Sequence, residues 1–286
     1  MKSYFKHLLK KYFLYYYIKE RFHPSVQIKQ RELYLNYRAA LKNGDLPKLE
    51  ETGFRVFSQF EEDGKLLFLF SLLGMNKPIF IEFGSDDGVN SNSANLFFHF
   101  AWNGLFLDGN AKAIERGKRF FSKYPHPHFI APKFKQTFIT AENINKLISE
   151  AGFGGEIGFL SIDIDGNDYW VWKAIDVVSP QVVMIETHVE FGKRDLIVPY
   201  DPNYFYPGKH PLYHGASPVA MIKLASKKGY RLVGANDRGF NLIFLRNDLL
   251  VNEIPTVSVD DILNHPSHKD HDKLFDEIKD WEYIQE

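Results

Sequence analysis

The sequence predicts an α/β fold: an open sheet of seven strands whose last strand runs antiparallel, preceded by a helical N-terminal extension. Three observations carry it. Ile79 to Phe83 follows Lys77-Pro78 as an apolar run without helical period, the pattern of a buried parallel strand, and it leads into a turn punctuated by Gly84 and Gly88. Gly104-Leu105-Phe106-Leu107-Asp108 repeats the pattern one helix later and again ends in an acid. The last two apolar runs, 230–235 and 241–246, are joined only by Asn236-Asp237-Arg238-Gly239, too short for a crossover helix, so they pair antiparallel.

In order along the chain, residues 1–56 read as the helical extension, 57–254 as the α/β domain and 255–286 as an acidic tail. Within residues 1–22, Phe5, Leu8, Leu9, Tyr12, Phe13 and Tyr16 recur at helical spacing among lysines, an amphipathic basic helix. Such a helix suits peripheral contact with an anionic membrane leaflet, or packing on the domain or on a second subunit in a homo-oligomer. Residues 24–58 continue as a helical lead-in broken at Pro24, Gly44 and Pro47. Leu66 to Leu73 forms a buried helix stopped at Gly74. Helices follow at about 92–101, with Ser91, Asn92 or Ser93 as cap, and at 111–124. The third strand lies within 128–138, and Thr140 caps a helix to Ala151. Ile157 to Asp165 is the fourth strand, Val182 to His188 the fifth, and 218–228 the last crossover helix. Six strands of βα type and one antiparallel strand make the sheet of a Rossmann-like methyltransferase, not that of a dehydrogenase.

Composition narrows the partners. The 35 basic and 36 acidic residues create no global field for nucleic acid, and the absence of cysteine rules out disulfides and thiolate metal sites. No apolar stretch is long enough to span a bilayer, so the expected location is cytoplasmic, with the inner membrane face open to residues 1–22.

The first turn selects a cofactor class. A dinucleotide fingerprint, G-x-G-x-x-G, leaves its turn uncharged for a pyrophosphate, whereas here Glu82, Gly84 and Gly88 enclose Asp86 and Asp87. Carboxylates there repel pyrophosphate and attract an amino group and a sulfonium, which points to S-adenosylmethionine. Asp108 lies 20 residues beyond Gly88, where a strand-end carboxylate can accept ribose hydroxyls. The alternative for Asp108 is an ordinary turn aspartate.

A second constellation sits at the next two strand ends. Strand alternation places Asp163 with Asp165, and Glu186 with His188, at one edge. Such a cluster either contains a general base or holds a divalent cation such as Mg2+, with Asp163, Asp165 and His188 as ligands. For methyl transfer to a hydroxyl, a neutral His188 oriented by Glu186 is the candidate base. Asp168 reads as a cap for the helix carrying Trp170 and Trp172. Residues 189–217, rich in aromatics, read as a lid over that edge. His265, His268 and His271 read as part of a solvated tail.

Several ordered blocks resemble FkbM-like S-adenosylmethionine-dependent methyltransferases of bacterial surface-polysaccharide biosynthesis. They are Ser58-Gln59 with Glu62-Asp63-Gly64, Glu82-Phe83-Gly84 with Gly88 and Ser91-Asn92, Gly104 to Gly109, Phe138 to Asn145, Leu160 to Trp170, Tyr213 to Ser217 and Lys228-Gly229-Tyr230. The resemblance implies an O-methyltransferase acting on a sugar or nucleotide-sugar acceptor in capsule, lipopolysaccharide or related glycan synthesis. It places the cofactor on Glu82, Gly84, Gly88 and Asp108, with Asp86 and Ser91 in the same turn. This chain has Glu186-Thr187-His188 where relatives often show Glu-Tyr-Asn. Two other readings stand beside it: a metal-dependent glycosyltransferase using Asp163-Ile164-Asp165, and a membrane-attached, non-catalytic scaffold.

Overall fold

A computed structural model describes residues 18–123 and 130–286 of the chain. The basic helix expected over residues 1–22 lies mostly outside them. Its described end, Ile18 to Phe22, packs on the domain: the Phe22 ring meets Phe57 and Phe98 edge-on, and Arg21 donates to Asn90 Oδ1 at 2.9 Å. The long helix α1 (Pro24–Asn43) begins at Pro24 instead of breaking there, since the first helical position needs no amide donor. Buried Gln30 and Asn95 exchange amide hydrogen bonds, and Arg38 donates to the Ser71 and Leu72 carbonyls at the end of α2 (Glu62–Leu73).

The sheet comprises β1 (Ile79–Phe83), β2 (Asn103–Asp108), β3 (Lys133–Gln136), β4 (Gly155–Ile162), β5 (Val178–Glu186), β6 (Tyr230–Ala235) and β7 (Asn241–Arg246). Its order is β3-β2-β1-β4-β5-β7-β6; the seven strands and the antiparallel last one, β7, are as the sequence predicts. Helices α3 (Ala94–Phe100) and α4 (Ala111–Phe121) join α2 in one apolar layer with Phe80, Phe106 and Phe159. On the other face α5 (Ile144–Glu150), α6 (Asp168–Ala174) and α7 (Pro218–Lys227) cover Ile81, Leu105 and Ile162. Strand alternation divides the side chains between the layers, and a core of this size fixes the strand register.

The strand ends differ from the sequence reading. β4 stops at Ile162 and β5 at Glu186, so Asp163, Asp165 and His188 stand on loops. Asp165 adopts a left-handed backbone, φ 55°. Pleat alternation therefore does not bring these groups together; loop geometry does.

The tail is folded, not solvated. After α8 (Val259–Ile262) and α9 (His271–Phe275), Phe275 and Ile278 bury against Phe191, and Ile284 pairs antiparallel with Ile197. His268 bonds the Leu263 and Arg238 carbonyls and His271 that of Val189, so the three histidines form no metal site. No described helix is long and apolar enough to cross a membrane.

One local device fixes the segment ahead of α2. Asp63 Oδ2 accepts the amides of Val56, Phe57 and Ser58 at 2.7, 2.5 and 2.9 Å, folding residues 56–58 back over the start of α2. Gly64 makes that fold fit, because a β-carbon there would lie 2.2 Å from the Thr52 carbonyl oxygen and 2.3 Å from the Phe54 nitrogen. We expect Gly64→Ala to lower stability by roughly 1–3 kcal/mol, read as a drop in the urea midpoint at unchanged m-value.

Candidate active site

A cavity of about 1030 Å³ opens at the carboxyl ends of β1, β2, β4 and β5, where open α/β sheets bind their ligands. Its wall combines the first turn (Gly84, Asp86), the end of β2 (Asp108 to Asn110), the segment after β3 (Thr137 to Ile139), the loop after β4 (Asp163 to Asp165), Glu186 to Glu190, and lid residues Tyr204 to Tyr206 and His214.

Gly84 is what lets the first turn reach the β4 loop. Its φ is 70°, and a β-carbon would sit 1.5 Å from the Asp163 carbonyl oxygen. Asp108 Oδ2 accepts the Asp86 amide and Oδ1 the Asn110 amide, both at 2.7 Å, so its carboxylate is held at the cavity wall with further lone pairs free to accept.

The other turn residues are placed differently. Glu82 does not line the cavity: it is buried in the α3 layer, and its two oxygens accept the Asn92 and Ser93 amides at 3.0 and 2.8 Å. Burial raises its pKa to about 7, partly offset by those hydrogen bonds. Glu82 thus fixes the two residues that lead into α3. Gly88 packs against the Phe106 ring, and the buried Ser91 hydroxyl donates to the Gly88 carbonyl; neither lines the cavity. The turn is not a free cluster of carboxylates either. Arg116 on α4 donates to Asp87 at 2.6 Å and to both oxygens of Asp86 at 3.1 and 3.2 Å. The negative charge comes instead from strands β2, β4 and β5.

One oxygen each from Asp163, Asp165 and Glu186 lies within 4.8 Å of the other two. The loop carrying them is shaped by buried Asp168, which accepts the Ile164 and Gly166 amides at 2.8 and 2.9 Å. The expected helix cap therefore ties the loop in front of α6. Burial, then the charges of Asp168, Asp165 and Glu82, push Asp163 up to about 8 despite a hydrogen bond with Glu186. Burial and the Asp163 charge likewise drive Glu186 well upward.

His188 has a different partner from the one expected. Its Nδ1 lies 2.7 Å from Glu190 Oε2, not on Glu186, and its Nε2 donates to the Leu212 carbonyl at 2.6 Å. Burial raises Glu190, but the hydrogen bond and charge of His188 outweigh it and bring the carboxyl down to about 2. Both ring nitrogens of His188 are thus engaged by partners other than Glu186, and the side chains grouped closely enough to hold a cation are Asp163, Asp165 and Glu186, without His188. His214 stacks on it at 4.4 Å between ring centroids, and burial with the His188 charge lowers His214 to about 4, leaving it neutral.

The lid is tied to this loop. The Tyr204 ring packs on Gly166, Asn167 donates to the Asp201 carbonyl at 2.8 Å, and the Gly215 amide donates to the Gly166 carbonyl at 3.0 Å. Gln59, Glu190 and Arg116 are the site-shaping residues for which sequence spacing gave no role. Gln59 lay in a block carrying the family resemblance, whereas Glu190 and Arg116 had no local signal.

No protein-family model matches the sequence, and no curated protein matches it. Solved structures similar to the chain are methyltransferases. The CurJ carbon methyltransferase aligns at 11% identity over 79% of this chain and 70% of that one, TM-score 0.42. Magnesium protoporphyrin IX methyltransferase from Synechocystis PCC 6803, solved with bound SAM, aligns at 10% identity over 85% and 90%, TM-score 0.37. A SAM-dependent methyltransferase from Methanosarcina mazei aligns at 12% identity over 59% and 92%, TM-score 0.37.

A carboxyl whose folded pKa is raised favours the folded state below its unfolded pKa and loses that contribution as pH rises through the folded value. For Asp163 the window runs from 3.8 to about 8. Asp163→Asn should therefore gain stability relative to the parent as pH rises from 5 to 8, by at most about 1.4 kcal/mol per pH unit, measured by urea unfolding at each pH.

Proposed function

We propose that the protein is an S-adenosylmethionine-dependent O-methyltransferase acting on a sugar hydroxyl, in capsule, lipopolysaccharide or related glycan synthesis. The observation that carries the reading is the cavity's charge: it is walled by carboxylates from three strand ends, and no described lysine or arginine lines it. That donor set fits a cofactor bearing an ammonium and a sulfonium and disfavours a pyrophosphate. Asp108 would hold the ribose hydroxyls, the Gly84 turn and Asp86 backbone would face the cofactor, and Thr137 to Ile139 would form the wall beside it. Glu82, Gly88 and Ser91 support this site by fixing the turn and α3. Bound there, S-adenosylmethionine supplies an electrophilic methyl group.

The chain's own part in the reaction is to remove a proton. Asp163 and Glu186, their proton affinities raised by burial and by each other, accept the acceptor hydroxyl's proton, and Asp165 beside them orients the hydroxyl. His188, bridging Glu190 and the Leu212 carbonyl, fixes the end of β5 to the Leu212 arm of the lid. The same three carboxyls also suit a divalent cation such as Mg2+, for which Asp163, Asp165 and Glu186 would supply oxygen ligands. Undiminished turnover in EDTA assigns them to proton transfer alone. The metal-dependent glycosyltransferase reading would use the same cation site, but it gives no role to Asp108 and the Gly84 turn at the other end of the cavity.

Calorimetric titration with S-adenosylhomocysteine tests the cofactor site: binding is expected, weakened roughly 10- to 100-fold by Asp108→Ala through loss of its charge-assisted hydrogen bonds. Binding of UDP with Mn2+ in place of S-adenosylhomocysteine would overturn the assignment, and binding of neither would favour the scaffold. With an acceptor in hand, Glu186→Gln is expected to reduce kcat roughly 100- to 10,000-fold while leaving S-adenosylhomocysteine affinity intact.

A further inference from the structure

Beyond the cofactor wall, the cavity ends in a group of residues with a chemistry of its own. Tyr204 lines it, and the Tyr204 hydroxyl is buried with no hydrogen-bond partner among the described residues. A buried hydroxyl without a partner is costly, so this one is poised for a polar group that enters the cavity. The Tyr204 ring packs on Gly166, the residue after Asp165, which places it beside the carboxyl cluster. Farther out, Phe205, Tyr206 and Phe138 line the same cavity while remaining 78, 46 and 46% exposed. They come from two elements, the lid and the segment after β3.

The charge of the lining disfavours one class of acceptor. Of its carboxyls, Asp86 is paired with Arg116 and Glu190 with His188. Asp108, Asp163, Asp165 and Glu186 have no lysine or arginine partner among the described residues of the wall. A nucleotide sugar would bring a diphosphate into this field with no described lysine or arginine to receive it, so its binding would depend on a divalent cation at the carboxyl cluster.

Resting on the methyl-transfer reading, we infer that the acceptor is an unphosphorylated saccharide of at least two rings. The reacting ring lies between the Tyr204 hydroxyl and the carboxyl cluster, and the adjoining ring stacks on Phe205 and Phe138 at the mouth. A neutral or amino-bearing saccharide meets every feature of the wall: hydroxyls for Tyr204 and the carboxylates, C–H faces for the exposed rings, and no anion. The protein would then act on a glycan after its glycosidic bond has formed, downstream of a glycosyl transfer.

Saturation-transfer NMR on the full chain, loaded with S-adenosylhomocysteine and with Mg2+ present, tests this. The probes are a set of neutral and amino-bearing mono-, di- and trisaccharides, with UDP-glucose and GDP-mannose alongside. Transfer to di- or trisaccharides and none to the nucleotide sugars is expected, and Phe205→Ala should weaken the larger saccharides roughly three- to tenfold while leaving the corresponding monosaccharides unchanged. Binding of the nucleotide sugars in preference, equal weakening of mono- and trisaccharides by Phe205→Ala, or no transfer to any saccharide from loaded protein would each overturn the inference. Failure of S-adenosylhomocysteine to bind, measured separately, removes the methyl-transfer reading and this one with it.

Discussion

The carboxyl edge of the sheet is built by side-chain carboxylates that accept backbone amides where strands and helices supply no partner. Asp63 takes three such amides, and Glu82, Asp108 and Asp168 take two each. Each joins a loop to the element beside it: the lead-in to α2, β1 to α3, β2 to the first turn, and the β4 loop to α6. Charge-assisted bonds of this kind are stronger than neutral ones, and a loop so held can adopt unusual backbone angles, as Asp165 does at φ 55°.

Taking buried amides as partners has an electrostatic consequence. Asp63, Glu82 and Asp168 lie deep in the fold, and burial lifts them to about 6, 7 and 6 although their amide bonds act in the opposite direction. The charges of Asp168 and Glu82 in turn help to raise Asp163. Scaffold and candidate site are therefore coupled: the groups that shape the loops also raise the proton affinity of Asp163.

The seven strands, the single antiparallel one and the positions of most helices were legible in the sequence, because periodicity and tight turns are local properties. The convergence of Asp163, Asp165 and Glu186 was legible too, though for the wrong reason: the strands end earlier than the apolar runs suggest, and loops complete the approach. Charge pairing was not legible. Arg116 lies 29 residues from Asp87 and Glu190 two residues past His188, and neither spacing distinguishes a partner from a solvated side chain. The acidic turn consequently looked unpaired, and His188 looked like a base. The tail likewise read as solvated because its apolar residues, Phe275, Ile278 and Tyr283, are sparse in sequence and meet only in three dimensions.

The pairing of Ile284 with Ile197 has a further consequence. The Ile197 segment also pairs with Ala216, and Glu286 reaches Lys173 and Tyr169 on α6. Displacing the Ile197 segment would therefore break its bridge to Ile284 or carry residues 284–286 with it, so this part of the long connection and α6 are tethered to each other through the last described residues.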